Sequence, residues 1–347
     1  MPDIFTKVDY KKIAARLLGE WDGFGLPKAD LSKLELKIMP FRKIGLHSLL
    51  TFMVFCEGKP LLVMKFPRYL EGRLAFSGLR NEAAMLEKIK IPELFKLLEI
   101  DGAPVLLMRA YEGKMLHHFL DAGEDLEKLA GFLRHGVNLL IELSRKTKEQ
   151  LIKIDEDFIE RHLLVPAREA LEYFPDQIAP LQEYLNTFLS NNQSAIGLEV
   201  PLLLTHHEFN PWNILVDPEG KLILLDWEDA ENSGLPFLDL YNFFTVAFRI
   251  MYYGETSETQ SRSPEQKQAR KELLLREFRA AAQKYCQALG CSEKLLDIFY
   301  LAFALKQTTF FLNEKRHDIN YASSWLALLA GAPLENCFID HVVKEGQ

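Results

Sequence analysis

The run Thr205–Val216, THHEFNPWNILV, with LLDWE close behind it at Leu224–Glu228, constrains this chain more than any other stretch. A carboxylate stands at Glu208, an amide five residues on at Asn213, and a second carboxylate thirteen residues later at Asp226. Apolar residues separate them. Ile214, Leu215 and Val216 precede Asp217-Pro218-Glu219-Gly220, and Leu222 through Leu225 follow it. Two short apolar runs around a Pro/Gly turn read as a β-hairpin that ends on Asp226. Polar groups set into apolar sequence at such spacing need partners or a task.

This residue set suits phosphoryl transfer. The transferred group carries concentrated negative charge, so catalysis there is mostly positioning and electrostatics. Glu208 is read as the base beside an acceptor hydroxyl. Asn213 and Asp226 offer hard oxygens to Mg2+, which keeps water and phosphate oxygens in the rest of its shell. The same chemistry calls for a strand lysine on the nucleotide phosphates and a helix carboxylate to hold it. Lys65 closes the apolar run Leu61–Met64, and Glu82 follows 17 residues later in RNEAAML. The expectation is a Lys65–Glu82 ion pair, with Lys65 facing Asp226 across a cleft. Arg42–Ser48, RKIGLHS, is the candidate loop over the phosphates; it has one glycine, and no P-loop pattern occurs in the chain. Ile44 and Val63 either sandwich an adenine or are ordinary strand core.

At 347 residues the chain has room for two lobes. Its charge is uneven. Residues 1–112 hold 18 Lys and Arg against 14 Asp and Glu, net +4, which leaves 23 against 35, net −12, for the remainder. The basic part suits an anionic nucleotide, and the acidic part argues against a nucleic-acid partner. No signal pattern opens the sequence, and the longest apolar runs fall short of a membrane span. Four cysteines without a CxxC pair point to reduced thiols and a cytoplasmic location.

Along the chain, Val8–Trp21 has helical spacing. Leu34–Pro40, Leu49–Cys56 and Pro60–Phe66 read as strands, Leu79–Ile89 as a helix, then Pro92–Leu98 and Val105–Met108 as strands around Asp101-Gly102. From Leu116 the pattern is helical: Leu126–Lys148, Phe158–Tyr173, Ile178–Leu189, Phe237–Tyr252, Arg270–Leu289, Glu293–Phe311 and Tyr321–Leu329. Glu255–Gln266, ETSETQSRSPEQ, reads as a polar loop. Acidic stretches such as Asp121–Glu127 and Asp155–Glu160 are as easily solvated faces as acceptor contacts. The domain reading is a helical extension over 1–33, a nucleotide-binding lobe over 34–112, and a helical lobe over 113–347 with the catalytic loop and acceptor site.

The runs HHEFNPWNILV, LLDWEDA and GLPFLDL together resemble the aminoglycoside phosphotransferase and choline-kinase-like family, in a Pro-Trp-Asn form of its catalytic loop. The family pattern is His-Gly-Asp, four residues, Asn, then a strand ending in Asp. The resemblance spans roughly Leu34–Tyr241 and is specific at Lys65, Glu82 and His206–Asp239. It implies an α+β, bilobal, protein-kinase-like fold, with a small antiparallel sheet lobe and a larger helical lobe. It implies ATP or GTP with Mg2+ as cofactors and a small-molecule hydroxyl as acceptor. It assigns Glu208 to the base, Asn213 and Asp226 to the metal, and Lys65 with Glu82 to the phosphates. The connector Leu107–Gly113 would meet the adenine through backbone groups of Arg109 and Tyr111. Asp239 would brace the catalytic loop.

Two residues depart from that pattern. His207 replaces the glycine and Glu208 the aspartate. The extra methylene moves the carboxylate oxygens by ~1.5 Å on a fixed backbone, and misplacement of that size costs on the order of 10²-fold. Either the loop is shifted to suit, or the base is impaired and the protein is a nucleotide-binding pseudokinase with a regulatory or scaffolding role.

Overall fold

The computed structural model describes residues 6–23, 28–38, 48–90, 95–123, 125–174, 176 and 178–312. Ile44, the loop around it and the helix expected at Tyr321–Leu329 lie outside the described residues. The chain divides into two compact units. One runs through Lys114 and also takes Val216–Lys221 and Leu225–Ala230; the other takes the remainder from Met115.

The first unit is built on an antiparallel sheet. Its strands are β1 (Leu34–Ile38), β2 (Leu49–Cys56), β3 (Lys59–Pro67), β4 (Phe95–Ile100) and β5 (Ala103–Arg109), in the order β1-β2-β3-β5-β4. Glu57-Gly58 and Asp101-Gly102 turn its hairpins, all four at positive φ. Strand alternation then sorts the side chains of β3. Leu62, Met64 and Phe66 enter one core with Phe52, Val54, Val105 and Leu107. Helix α1 (Tyr10–Gly19) covers that face with Ile13 and Leu17, and Trp21 joins them. Val63 and Lys65 point to the other face, where Leu106 packs on Leu79 and Ala83 of helix α2 (Arg73–Lys88).

Helix α2 begins two turns before the start expected at Leu79. Leu74 and Ala75 already favour the helix ahead of Gly78. A side chain at Gly78 would stand against Glu228, so the small residue keeps α2 close to the segment after Asp226.

The second unit is mainly helical. Helix α3 (Leu116–Ala122) follows the two-residue β6 (Lys114–Met115), and α4 (Leu126–Thr147) buries Leu129, Leu133, Val137 and Leu140. At Gly136 the helix meets Phe243 so closely that a Cβ would lie 2.4 Å from the ring. Phe158–Tyr173 is helical as expected but in three pieces: α5 (Glu156–Ile159), a π-helical turn at Glu160–Leu164, and α6 (Val165–Tyr173). Pro166, lacking an N–H, sits at the start of the last piece. Helix α7 (Ile178–Asn191) follows.

Short strands punctuate this unit; the hairpin around Asp217–Gly220 was anticipated from the sequence, and the strands at Leu151–Lys153, Glu199–Pro201 and Glu231–Gly234 were not. β7 (Leu151–Lys153) pairs with β8 (Glu199–Pro201). β9 (Leu203–Thr205) pairs with β12 (Glu231–Gly234), and a Cβ at Gly234 would strike Thr205. Between them lie β10 (Ile214–Val216) and β11 (Leu222–Leu224), which form a three-stranded sheet in the order β11-β10-β6.

Helix α8 (Leu238–Phe248) is almost wholly buried and runs into a π-helical turn at Arg249–Tyr253. The segment expected as a polar loop is instead ordered. Thr256 caps α9 (Ser257–Gln260), and Ser263 caps α10 (Pro264–Leu289), each through a reciprocal capping box. Ser, Thr and Pro, read as loop residues, serve here as helix starts. The last described helix is α11 (Leu296–Leu312). No helix among the described residues is long and apolar enough to cross a membrane.

Candidate active site

The first unit carries a trio of charges, Lys65 and Glu82 buried and Asp226 partly exposed. Strand pairing sets Lys65 opposite Leu106, with its side chain toward α2. Lys65 Nζ donates to both carboxylate oxygens of Glu82, each at 2.9 Å. It also lies 2.8 Å from Asp226 Oδ1. Burial pulls the Lys65 ammonium down, but Asp226 and Glu82 together outweigh it and hold its pKa above the ordinary value. Complete burial pushes the Glu82 carboxyl upward against the pull of Lys65 and of the Trp227 N–H, which donates to Oε1 at 3.3 Å.

Asp226 takes a left-handed backbone, φ 66°, which re-aims the chain where β11 has ended. Its turn is tied to α2 by a residue that sequence reasoning passed over. The Asn81 side-chain amide donates to the Glu228 carbonyl at 3.0 Å and to the Ala230 carbonyl at 2.7 Å. Upstream, the hairpin turn forms as expected, with Asp217 N–H donating to the Lys221 carbonyl and Gly220 at φ 84°.

The residues read as an adenine wall fall on the same sheet. Val63 is half-buried, on the Lys65 face of β3, and pairs with Met108. Arg109 is exposed at the end of β5, its guanidinium 5.9 Å from the Tyr111 ring centre. Ala110 N–H donates to the Leu61 carbonyl and holds this connector against β3.

The second unit carries the catalytic-loop sequence, held mainly by hydrogen bonds to its backbone. Asp239, buried in the first turn of α8, accepts from His206 N at 2.7 Å and His207 N at 2.8 Å. Asn242 donates to the His207 carbonyl at 2.7 Å. The peptides on both sides of His207 are thereby pinned in a left-handed conformation, φ 65°, that a glycine adopts without strain. The His207 ring has its own partners. Its Nε2 lies 2.9 Å from Glu231 Oε2, 3.2 Å from Thr205 Oγ1 and 3.3 Å from Lys306 Nζ. The His207 hydrogen bond, with Lys306 beside it, lowers the pKa of the Glu231 carboxyl to about 2.

Beyond His207 the loop is closed locally. Phe209 is buried against Phe243, with ring centres 5.6 Å apart. Asn210 accepts from Trp212 N on its side chain and from Asn213 N on its carbonyl. Asn213 directs its amide nitrogen to the Glu208 carbonyl at 3.1 Å and lies 3.4 Å from Glu208 Oε2. That turns the Asn213 carbonyl oxygen, a hard donor, to the other side, and both Glu208 and Asn213 are half-buried. The structure thus groups Lys65, Glu82 and Asp226 in one unit, and Glu208 and Asn213 in the other.

A five-stranded antiparallel sheet with a lysine–glutamate pair, followed by a helical unit with this loop, is the α+β kinase-like fold. The chain belongs to the phosphotransferase enzyme family APH, whose sequence profile matches residues 51–276. No curated protein matches it by sequence. Among solved structures it resembles a candidate aminoglycoside phosphotransferase of Ralstonia eutropha JMP134, with TM-score 0.57 and 13% identity over 97% of this chain and 98% of that one. It also resembles choline kinase of Cryptosporidium parvum Iowa II, with TM-score 0.56 and 11% identity over 97% of each chain. A thermostable mutant of aminoglycoside phosphotransferase APH(4)-Ia, in complex with ADP and hygromycin B, aligns with TM-score 0.52 and 13% identity over 86% of this chain and 95% of that one. At such identities the likeness defines the fold.

Proposed function

We propose that this protein is a small-molecule kinase that transfers the γ-phosphoryl group of ATP or GTP to a hydroxyl of a sugar, aminoglycoside-like or amino-alcohol acceptor. The observation that carries this reading is the Lys65–Glu82–Asp226 trio, with its three contacts at 2.8–2.9 Å. Glu82 holds the ammonium, which presents its charge to nucleotide phosphates. Val63 and the connector at Arg109 and Tyr111 take the base. Glu208 accepts the acceptor's proton as its oxygen attacks the γ-phosphorus and the bond to the leaving diphosphate breaks. Asp239 and Asn242 fix the peptides that aim Glu208.

Asn213 and Asp226 would hold Mg2+. Both offer the hard oxygens that ion prefers, and the Asn213 amide nitrogen is already committed to Glu208. When bound, the ion neutralises charge on the phosphate oxygens.

The second reading, a nucleotide-binding pseudokinase, is favoured by the glutamate itself. ADP release over a panel of sugars, amino alcohols and aminoglycosides, with wild type and Glu208→Asp, separates the two. A kinase built for the longer side chain turns over an acceptor and slows on shortening. A relic is silent as wild type, or gains activity with aspartate.

A further inference from the structure

We infer that Trp212, fixed by Glu255 and flanked by Arg249, is the acceptor-recognition platform of this enzyme, and that the acceptor it takes is a neutral polyhydroxylated molecule rather than an amine. The inference rests on the kinase reading above and narrows it.

Trp212 lies in the turn between Glu208 and Asn213, four residues after one and immediately before the other. Its backbone N–H is fixed by Asn210 Oδ1 at 3.0 Å, so the ring leaves the loop beside the residues assigned to the acceptor hydroxyl. The ring is then held from elements that take no part in phosphate chemistry. The indole N–H donates to Glu255 Oε1 at 2.6 Å. Glu255 N–H in turn donates to Asp121 Oδ1 at 3.0 Å, and its Oε2 lies 3.8 Å from His117 Nε2. Asp121 is buried, with Arg262 Nη2 3.6 Å from its Oδ1. Gly254, at φ 78°, lets the chain pass so close to Thr259 that a Cβ would lie 2.5 Å from its backbone. Glu255 is therefore mounted on a rigid corner. Its side chain remains 26% exposed and Trp212 is half-buried, so both are open to a ligand.

The charges beside the ring select the ligand class. The Arg249 guanidinium stands 5.8 Å from the Trp212 ring centre. A cation already on the indole disfavours a second one, which is the mode by which an aromatic ring recognises an amine. A guanidinium that only donates and a carboxylate that only accepts, set around one ring, match hydroxyls, which do both. The ring offers its apolar face to the C–H groups of the same molecule.

The test pairs wild type with Trp212→Ala, Trp212→Phe and Arg249→Gln. ADP release is followed with glucose, mannose, inositol and glycerol on one arm, and choline, ethanolamine and an aminoglycoside on the other. Magnesium-nucleotide thermal shift is measured on every variant. The expected result is turnover on the polyol arm and a KM for that acceptor raised ~10-fold or more by Trp212→Ala, with kcat and nucleotide shift little changed. Trp212→Phe keeps most of the affinity, and Arg249→Gln raises the relative use of amines. Turnover confined to amines, an unchanged KM in Trp212→Ala, or no response to any polyol overturns the assignment. Loss of the nucleotide shift in wild type strikes the kinase reading instead.

Discussion

The Lys65 trio in the first unit and the Glu208 loop in the second are built on opposite principles. The trio is made of full charges, two of them taken out of water. Lys65 and Glu82 are buried, and Lys65 is held ionised by Glu82 and Asp226. The loop is made of neutral peptide groups fixed by Asp239, Asn242 and Asn213, with its glutamate and tryptophan open to a ligand. A buried ion cluster tolerates little change, because removing one member strands the rest. A loop held through its backbone tolerates new side chains, and it is there that His207 and Glu208 depart from the usual pattern.

The largest effect that would sharpen this contrast is Asp226→Asn. Removing that charge is expected to abolish turnover and weaken magnesium-dependent nucleotide binding together, measured by ADP release and nucleotide titration. Retained nucleotide affinity would mean the trio is structural. Glu208→Gln is expected to cut turnover by ~10²–10⁴-fold while nucleotide affinity holds. Single-turnover rates at saturating nucleotide check it, and wild-type rates would remove Glu208 from the reaction.

Asp239→Ala comes next. It leaves two loop N–H groups, His206 and His207, without their acceptor, and a loss of about 2–4 kcal/mol in urea unfolding is expected. The smallest effect is acid sensitivity at Glu231. Its folded pKa, about 2, lies below the ordinary 4.5, so it adds stability above pH 4.5 and loses it as pH falls toward 2. Glu231→Gln is expected to flatten that limb of the unfolding profile. Half its side chain is exposed, so the change is modest.

The trio was legible because Lys65 and Asp226 follow apolar runs, and Glu82 follows at a fitting distance on the next helix. The bracing residues were less so. Asn81 looks like any polar residue on a helix, and only the fold brings two carbonyls to its amide. Lys306 reaches His207 from 99 positions away, with no local mark in either stretch. The strands Leu151–Lys153, Glu199–Pro201 and Glu231–Gly234 run to only three or four residues, too short to show a period. The polar segment before α10 was misread because caps and loops draw on the same residues.

The measurement that bears most directly on the central claim is thermal unfolding of the wild-type protein with ATP and GTP, each with and without magnesium. Nucleotide binding at the Lys65–Asp226 site is expected to stabilise the fold by ~2.7 kcal/mol at a hundredfold excess over the dissociation constant. The shift should require magnesium and be lost in Asp226→Asn. No shift with either nucleotide at millimolar concentration, or a shift indifferent to both magnesium and Asp226, would contradict it.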